Sequence, residues 1–361
     1  MPTEAQVIEA LRPVEDPEIH RSIVDLGMVR GIGFAGDRVK VTVALTVAGC
    51  PLRNEITSRV TGAVEALDGV GGVDLDFTVM TDEERQALAQ RLRAEGGGAP
   101  ADGSARTNPF TDSRTRVIAI ASGKGGVGKS SVTTNLAVAL AQAGHKVAAV
   151  DADVWGFSMP RMLGIDRPPT VIDDVIVPPD ANGVTLISMG FFAREDQPVV
   201  WRGPMLHKAL EQFLSDVHWG ELDVLVVDMP PGTGDVSMSL AQLLPRAEAV
   251  VVTTPQLLAQ EVAVRAASMA EKTGMRVLGV IENMTSEVFG SGGGERLATE
   301  LGVPLLGSVP LDVRLREAGD SGVPLVVSDP SSEISEAIFE IARGLDASRS
   351  GGFTRTLPLV G

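Results

Sequence analysis

Two lysines embedded in one run of glycines, Lys124 and Lys129, are the residues whose spacing most directly implies chemistry. The stretch Gly123-Lys-Gly-Gly-Val-Gly-Lys-Ser-Ser131 satisfies G-x-x-x-x-G-K-[ST], the pattern of a phosphate-cradling loop. Gly123, Gly125, Gly126 and Gly128, with Val127 between them, permit backbone conformations that turn successive N–H groups inward on phosphate oxygens. Lys129 is expected to neutralise the β- and γ-phosphates of a nucleotide, and the Ser130 hydroxyl to ligate Mg²⁺. Ser131 closes the loop's binding set. The flanks fit: Arg116–Ala121 is a short apolar run that reads as a buried strand. Apolar residues then recur at Val132, Leu136, Ala139, Leu140 and Ala143 with helical spacing, and Gly144 supplies a stop. Such a helix would turn its positive dipole end toward the phosphates.

Carboxylates and an amide recur where other predicted strands end. Asp151-Ala-Asp153 follows Val147–Val150, Asp228-Met-Pro-Pro-Gly-Thr-Gly-Asp235 follows Leu225–Val227, and Glu282-Asn283-Met284 follows Val280–Ile281. Ligands of open parallel sheets bind outside the carboxyl ends of the strands, so these residues should converge on the phosphate loop. Asp228 has the placement of the acidic residue that holds a Mg²⁺-bound water. Gly232 and Gly234 give its loop freedom to move when the γ-phosphate leaves. One of Asp151 and Asp153 should orient the attacking water, and the Asn283 amide, both donor and acceptor, suits the edge of adenine.

The elements that must position these groups fall into two domains. Residues 1–92 alternate β-type runs (Arg38–Val47, Val73–Met80) with helical patterns (Thr3–Leu11, Leu52–Leu67, Asp82–Leu92), which predicts a small α+β domain. Residues 93–115, rich in Gly, Ala, Pro and Ser, read as a flexible linker. From 116 to 345 strands and helices alternate, with strands predicted at Lys146–Val150, Val184–Ser188, Leu222–Val227, Ala249–Thr253, Arg276–Ile281 and Pro304–Val309. Their near-continuous apolar composition predicts an α/β fold, a mostly parallel sheet with helices on both faces. Residues 346–361 read as a frayed tail.

Composition narrows the partners. The formal charge of −16, with Lys and Arg scattered, argues against nucleic acid, whose phosphates need clustered cations. No apolar run reaches the roughly 18 residues of a membrane span. The acidic N-terminus lacks the basic start of a signal peptide, so a cytoplasmic protein with no membrane partner is expected. A single cysteine leaves no disulfide framework.

The second lysine, Lys124, resembles the deviant Walker A signature of the MinD/ParA/ArsA-like class. Asp151-Ala-Asp-Val-Trp-Gly-Phe-Ser-Met-Pro160, Trp201-Arg-Gly-Pro-Met205, Val227–Asp235, Ile281-Glu-Asn-Met284 and Gly290-Ser-Gly-Gly-Gly-Glu295 are similar to the Mrp/ApbC family of iron–sulfur cluster carrier ATPases. Asp16-Pro-Glu, Ser22–Met28 and Thr46–Leu52 resemble the small MIP18-type module often fused to its bacterial members. The resemblance implies a homodimer with ATP and Mg²⁺ sandwiched between subunits, Lys124 reaching across to the partner's nucleotide. It implies that Lys124, Lys129 and Asp153 are catalytic, with Asp153 positioning the attacking water. Asp151 would lie in the second shell of the metal, and Asp228 would take the Walker B position. Hydrolysis would be slow and would switch loops that report to iron–sulfur scaffolds or recipient apo-proteins.

One motif departs from the family. Cluster-carrying members have a Cys-x-x-Cys pair soon after the Glu-Asn-Met segment, whereas here Asn283-Met-Thr-Ser-Glu-Val-Phe-Gly-Ser-Gly-Gly-Gly294 contains no cysteine. Four-iron clusters take four thiolates. The only thiol is Cys50, at the expected start of a helix whose dipole would lower its pKa; by residue type alone it also reads as a small buried packing residue, and the MIP18-type resemblance implies a transient cluster ligand or reactive thiol. Any iron–sulfur cluster held this way would be labile. The alternative reading is a MinD/ParA-like nucleotide-switched partner-binding ATPase with no cluster.

Overall fold

The computed structural model describes residues 1–47, 52–95, 108–111, 113–192 and 203–350. Cys50, the Trp201-Arg202 pair, most of the linker and residues 351–361 lie outside the described residues.

The described residues divide into two compact units. In the smaller, α1 (Glu4–Leu11) starts at Thr3, whose hydroxyl accepts the Gln6 N–H while the Gln6 side chain accepts the Thr3 N–H. There follow β1 (Val29–Ala35), β2 (Arg38–Leu45), α2 (Arg53–Glu65), β3 (Gly72–Val79) and α3 (Asp82–Glu95). The sheet runs β1-β2-β3, antiparallel then parallel. Val39, Val41 and Val43 of β2 alternate inward onto the buried Ile56, Val60 and Val64 of α2. Strand β1 has no counterpart in the sequence reading. Gly31 and Gly33 interrupt its apolar alternation, and only pairing with β2 makes it a strand.

The larger unit begins with β4 (Arg116–Ser122), α4 (Lys129–Gln142), β5 (Val147–Asp151) and α5 (Met159–Leu163). Two short pairing strands, β6 (Thr170–Ile172) and β7 (Val175–Val177), precede β8 (Asp180–Ala181), β9 (Val184–Ser188), α6 (Gly203–Ser215), β10 (Val224–Asp228) and α7 (Asp235–Leu243). The chain continues through β11 (Glu248–Thr253), α8 (Leu257–Lys272), β12 (Arg276–Thr285), α9 (Gly293–Leu301) and β13 (Leu305–Pro310). It closes with α10 (Val313–Ser321), α11 (Leu325–Ser328) and α12 (Glu333–Ser350). The main sheet has the order β13-β12-β11-β4-β10-β5-β9-β8, parallel throughout except for β8 at its edge. Every residue of β5 and β10 is buried, as expected for strands covered on both faces.

Three details differ from the sequence reading, each for a tertiary reason. The β6–β7 hairpin and Asp216–His218, placed by sequence inside the 116–345 domain, cluster with the small unit. Ile172, Val175 and Val177 are buried in the small unit's core, and the Thr170 hydroxyl donates to Glu18 Oε1 at 2.9 Å. Strand β12 runs past Ile281 to Thr285, because β13 pairs alongside Glu282 and Asn283. Helix α12 continues through Asp346 to Ser350 where a frayed tail was expected, and Arg116 donates to the Ser348 hydroxyl at 2.8 Å.

Candidate nucleotide-binding and active site

The loop from Gly123 to Gly128 joins the central strand β4 to α4, whose first residue is Lys129. Gly128 is left-handed at φ +77°, and a Cβ there would lie 2.2 Å from the Asn283 Nδ2. No other residue type fits that approach. Lys129 is 6% exposed, and its Nζ lies 2.7 Å from Asp228 Oδ2. The Ser130 hydroxyl donates to the same oxygen at 2.6 Å, and the Thr133 hydroxyl donates to Oδ1 at 2.7 Å. A fully buried carboxylate is thus matched by one cation and two hydroxyls, the pairing that a buried charge requires. Lys124 differs from Lys129: it is exposed and has no ion pair among the described residues.

Asp151 and Asp228 are register partners on adjacent strands. Asp151 Oδ2 accepts the N–H groups of Ser158 and Met159 at 3.0 and 3.2 Å and the Ser188 hydroxyl at 3.1 Å. Burial, aided by the charge of Asp228, pushes the Asp151 carboxyl up to about 7 against those three hydrogen bonds. Asp153 is half-buried and folds its carboxylate over its own turn, Oδ1 accepting from Trp155 N at 3.2 Å and Gly156 N at 2.9 Å. The loop after Asp228 is tied to the end of β4, just before the phosphate loop, by Gly232 N donating to Ser122 O at 2.8 Å.

Asn283 is 2% exposed; its Nδ2 donates to Val127 O at 2.8 Å, while its Oδ1 has no partner among the described residues. A buried acceptor left unmatched in this way has capacity for a donor from water or a ligand. Asn283 lines a cavity of about 440 Å³ beside the phosphate loop, together with Gly128, Ser131, Met162, Met284 and Leu311. Its volume lies within the range of small-molecule sites.

The phosphate-loop residues, Asp151, Asp228 and Asn283 thus come together at the carboxyl edge of one sheet. Cys50 lies outside the described residues, and among the described residues no cluster of His, Cys, Asp or Glu could hold a metal ion. Sequence reading missed two residues, Thr133 and Ser188. Thr133 lies one helical turn beyond Ser130, a spacing that shares a face and could have flagged it. Ser188 carried no motif, since only strand register sets it beside Asp151. Glu282, expected with Asn283 at the phosphate loop, instead has a structural role: its carboxylate accepts the N–H groups of Gly292, Gly293 and Gly294 and caps α9. Asp16 likewise accepts the Glu18 and Ile19 N–H groups in a turn.

No helix among the described residues is long and apolar enough to cross a membrane. The model of the NUBPL iron-transfer P-loop NTPase family matches residues 113–346, and that of an iron–sulfur cluster assembly protein matches residues 4–75. A Mycobacterium tuberculosis protein named iron–sulfur cluster carrier protein is 51% identical, over 96% of this chain and 94% of its own. A Bacillus subtilis protein of the same name is 40% identical, over 96% and 98%. An Archaeoglobus fulgidus nucleotide-binding protein solved in complex with ADP aligns with TM-score 0.51 and 32% identity, covering 67% of this chain and 91% of its own. The Pyrococcus furiosus cell-division ATPase MinD aligns with TM-score 0.52 and 26% identity, covering 64% and 99%. With a phosphate loop, a buried Lys129–Asp228 pair and these matches, the chain belongs to the NUBPL iron-transfer P-loop NTPase family.

Proposed function

We propose that this chain is a cytoplasmic, homodimeric ATP-hydrolysing switch that serves iron–sulfur cluster assembly or transfer. The observation that carries the reading is the division of labour between its two loop lysines. Lys129 is buried on Asp228, where it would meet the phosphates of its own subunit's nucleotide, whereas Lys124 is exposed and has no ion pair among the described residues, free to serve a partner's. ATP hydrolysis through this class of site needs positioning and charge rather than covalent chemistry. Lys129 and the loop N–H groups would hold the phosphates, Lys124 would stabilise charge on the transferring group from the second subunit, and Asp153 would position the attacking water. Asn283 would accept from the amino group of adenine.

The donor set fits Mg²⁺, a hard cation that takes oxygen ligands. The Ser130 hydroxyl would bind it, with Asp228 and Asp151 behind in its second shell. When bound, the ion neutralises charge on the β- and γ-oxygens. Turnover would be slow, and the loops after Asp151 and Asp228 would report the nucleotide state to a scaffold or a recipient apo-protein. The names carried by relatives 40–51% identical support the cluster role.

The thiol inventory favours weighing a second reading, a MinD/ParA-like switch that acts through protein partners and holds no cluster. A homodimer offers one Cys50 per subunit, which cannot complete thiolate ligation of a four-iron cluster. Anaerobic reconstitution with iron and sulfide, read by absorption and iron counting on wild type and Cys50→Ser, separates the two. The cluster reading expects substoichiometric, chelator-labile iron that disappears in Cys50→Ser while ATP turnover persists. Complete absence of iron, with turnover intact, would leave the partner switch as the function.

A further inference from the structure

The segment that opens β9's far end has no part in the nucleotide contacts described above, yet it holds the loop that carries Asp153. Ser188, the last residue of β9, is wholly buried and lies in register with Asp151. Its hydroxyl donates to Asp151 Oδ2 at 3.1 Å and accepts the Gly190 N–H at 3.0 Å, bridging the two segments. The same Asp151 oxygen holds the far end of the loop through Ser158 N and Met159 N. Between these anchors, the Phe157 ring lies against Gly190. A Cβ on Gly190 would come within 2.3 Å of Phe157 Cδ2 and 2.8 Å of Cε2 and Cγ.

We propose that Ser188 and Gly190 form a seat for the 152–158 loop and are positioning residues for ATP hydrolysis, acting through Asp151 and Phe157 on Asp153. The proposal rests on the reading of Asp153 as the residue that positions the attacking water. Ser188 fixes the loop's ends by hydrogen bonding to the shared carboxylate. Gly190 leaves room for the Phe157 ring just before the Ser158 anchor. Ala152 and Val154 at the start of the loop are buried, whereas Phe157 is 41% exposed and Trp155 75% exposed, so its second half buries little apolar surface of its own. The placement of that half, whose Trp155 and Gly156 N–H groups hold the Asp153 carboxylate, therefore depends on these few contacts. The Ser188 hydroxyl bonds Asp151 and Gly190 rather than the phosphate loop, so loss of the seat should misplace Asp153 without weakening nucleotide binding.

The clash at position 190 is with a side chain that can swing away, so Gly190→Ala should displace Phe157 and leave the sheet intact. The test is a double-mutant cycle of Gly190→Ala and Phe157→Ala in the full-length protein. It is read by ATP turnover, ATP affinity and amide hydrogen exchange. Gly190→Ala is expected to lower turnover about tenfold, as modest misplacement of a catalytic group does. ATP affinity should stay within about twofold, and exchange at Ser158 and Met159 should speed up about tenfold as their bonds to Asp151 loosen. In the Phe157→Ala background the same substitution should cost less than about twofold, because neighbours that act through one contact are not additive. Ser188→Ala should speed the same two amides, and Ser188→Thr should largely restore them. Equal losses with and without the Phe157 ring, or unchanged exchange at Ser158 and Met159, would overturn the seat. Wild-type turnover in Asp153→Asn would refute the water-positioning reading instead, while the exchange data still judge the seat.

Discussion

The ammonium of Lys129 rests 2.7 Å from Asp228 Oδ2, both side chains withdrawn from solvent, and the Ser130 hydroxyl shares that oxygen at 2.6 Å. The cation that should meet the phosphates is therefore matched by a neighbouring carboxylate within its own subunit. Lys124, on the same loop, is exposed and has no such partner among the described residues.

The two lysines should fail differently. Lys129→Ala should weaken ATP binding roughly ten- to hundredfold, the value of one or two charge-assisted contacts, and should also destabilise the fold by stranding Asp228. Lys124→Ala should bind ATP within a few-fold of wild type yet turn over about a hundredfold more slowly. Mixing the variants places the defects in different sites of a heterodimer and should restore part of the activity. Nucleotide titration and phosphate release measure both, and normal hydrolysis by Lys124→Ala would remove its proposed role across the dimer.

Asn283 should select the base. Its donor is committed to Val127 O, so the amide is turned with its acceptor unmatched, complementary to an amino group and mismatched to a carbonyl. Asn283→Leu keeps much of the volume and should erode the preference for ATP over GTP by roughly tenfold, one hydrogen bond's worth. Competition binding with the two nucleotides reads it. An unchanged preference would move base selection elsewhere in the cavity.

The raised pKa of Asp151 has a defined sign in stability. Burial, then the charge of Asp228, lifts the folded carboxyl to about 7, against an ordinary value of 3.8. Below pH 4 both folded and unfolded states hold the proton. Between about pH 4 and 7 only the folded state does, so raising the pH through this window removes stability contributed by this group. Asp151→Asn should flatten that fall. Denaturant titrations of both proteins without nucleotide or metal should show the wild type losing more stability than the variant from pH 4 to 7. Parallel curves would mean that Asp151 titrates normally.

The β6–β7 hairpin should stabilise the small unit. Ile172 is 1% exposed within that unit's core, and Ile172→Ala should cost about 2–5 kcal/mol there. Hydrogen exchange in the full-length protein should speed up in β2 and β3 and stay constant in β4 and β10. Uniform acceleration across both units would contradict the local effect.

Much of the fold was legible because its signals are local. Lys129–Ala143 is read from its spacing and found as α4 over Lys129–Gln142, and the buried strands β4, β5 and β10 announce themselves as short runs of Val, Ile and Ala. Strand β1 was not legible, since Gly31 and Gly33 remove the alternation that marks a strand and pairing alone supplies it. Thr133 was missed although its spacing puts it on the face of Ser130, because only the fold brings a carboxylate from β10 beside it.

The sequence by itself determined the kind of chemistry. A glycine loop with two lysines and a serine can do little other than bind phosphate, because the backbone freedom, the charges and the hydroxyl are all set by residue type. It also determined the shortage of thiolates, since one cysteine per chain is a matter of counting. Only the tertiary structure decided which lysine is matched by Asp228 and which way the Asn283 amide faces. It also decided that Ser188 and Gly190 hold the loop of Asp153, and that a hairpin from the middle of the chain completes the small unit's core. Those relations join residues far apart in the chain. They depend on strand register and on shape, which residue types along a single segment do not encode.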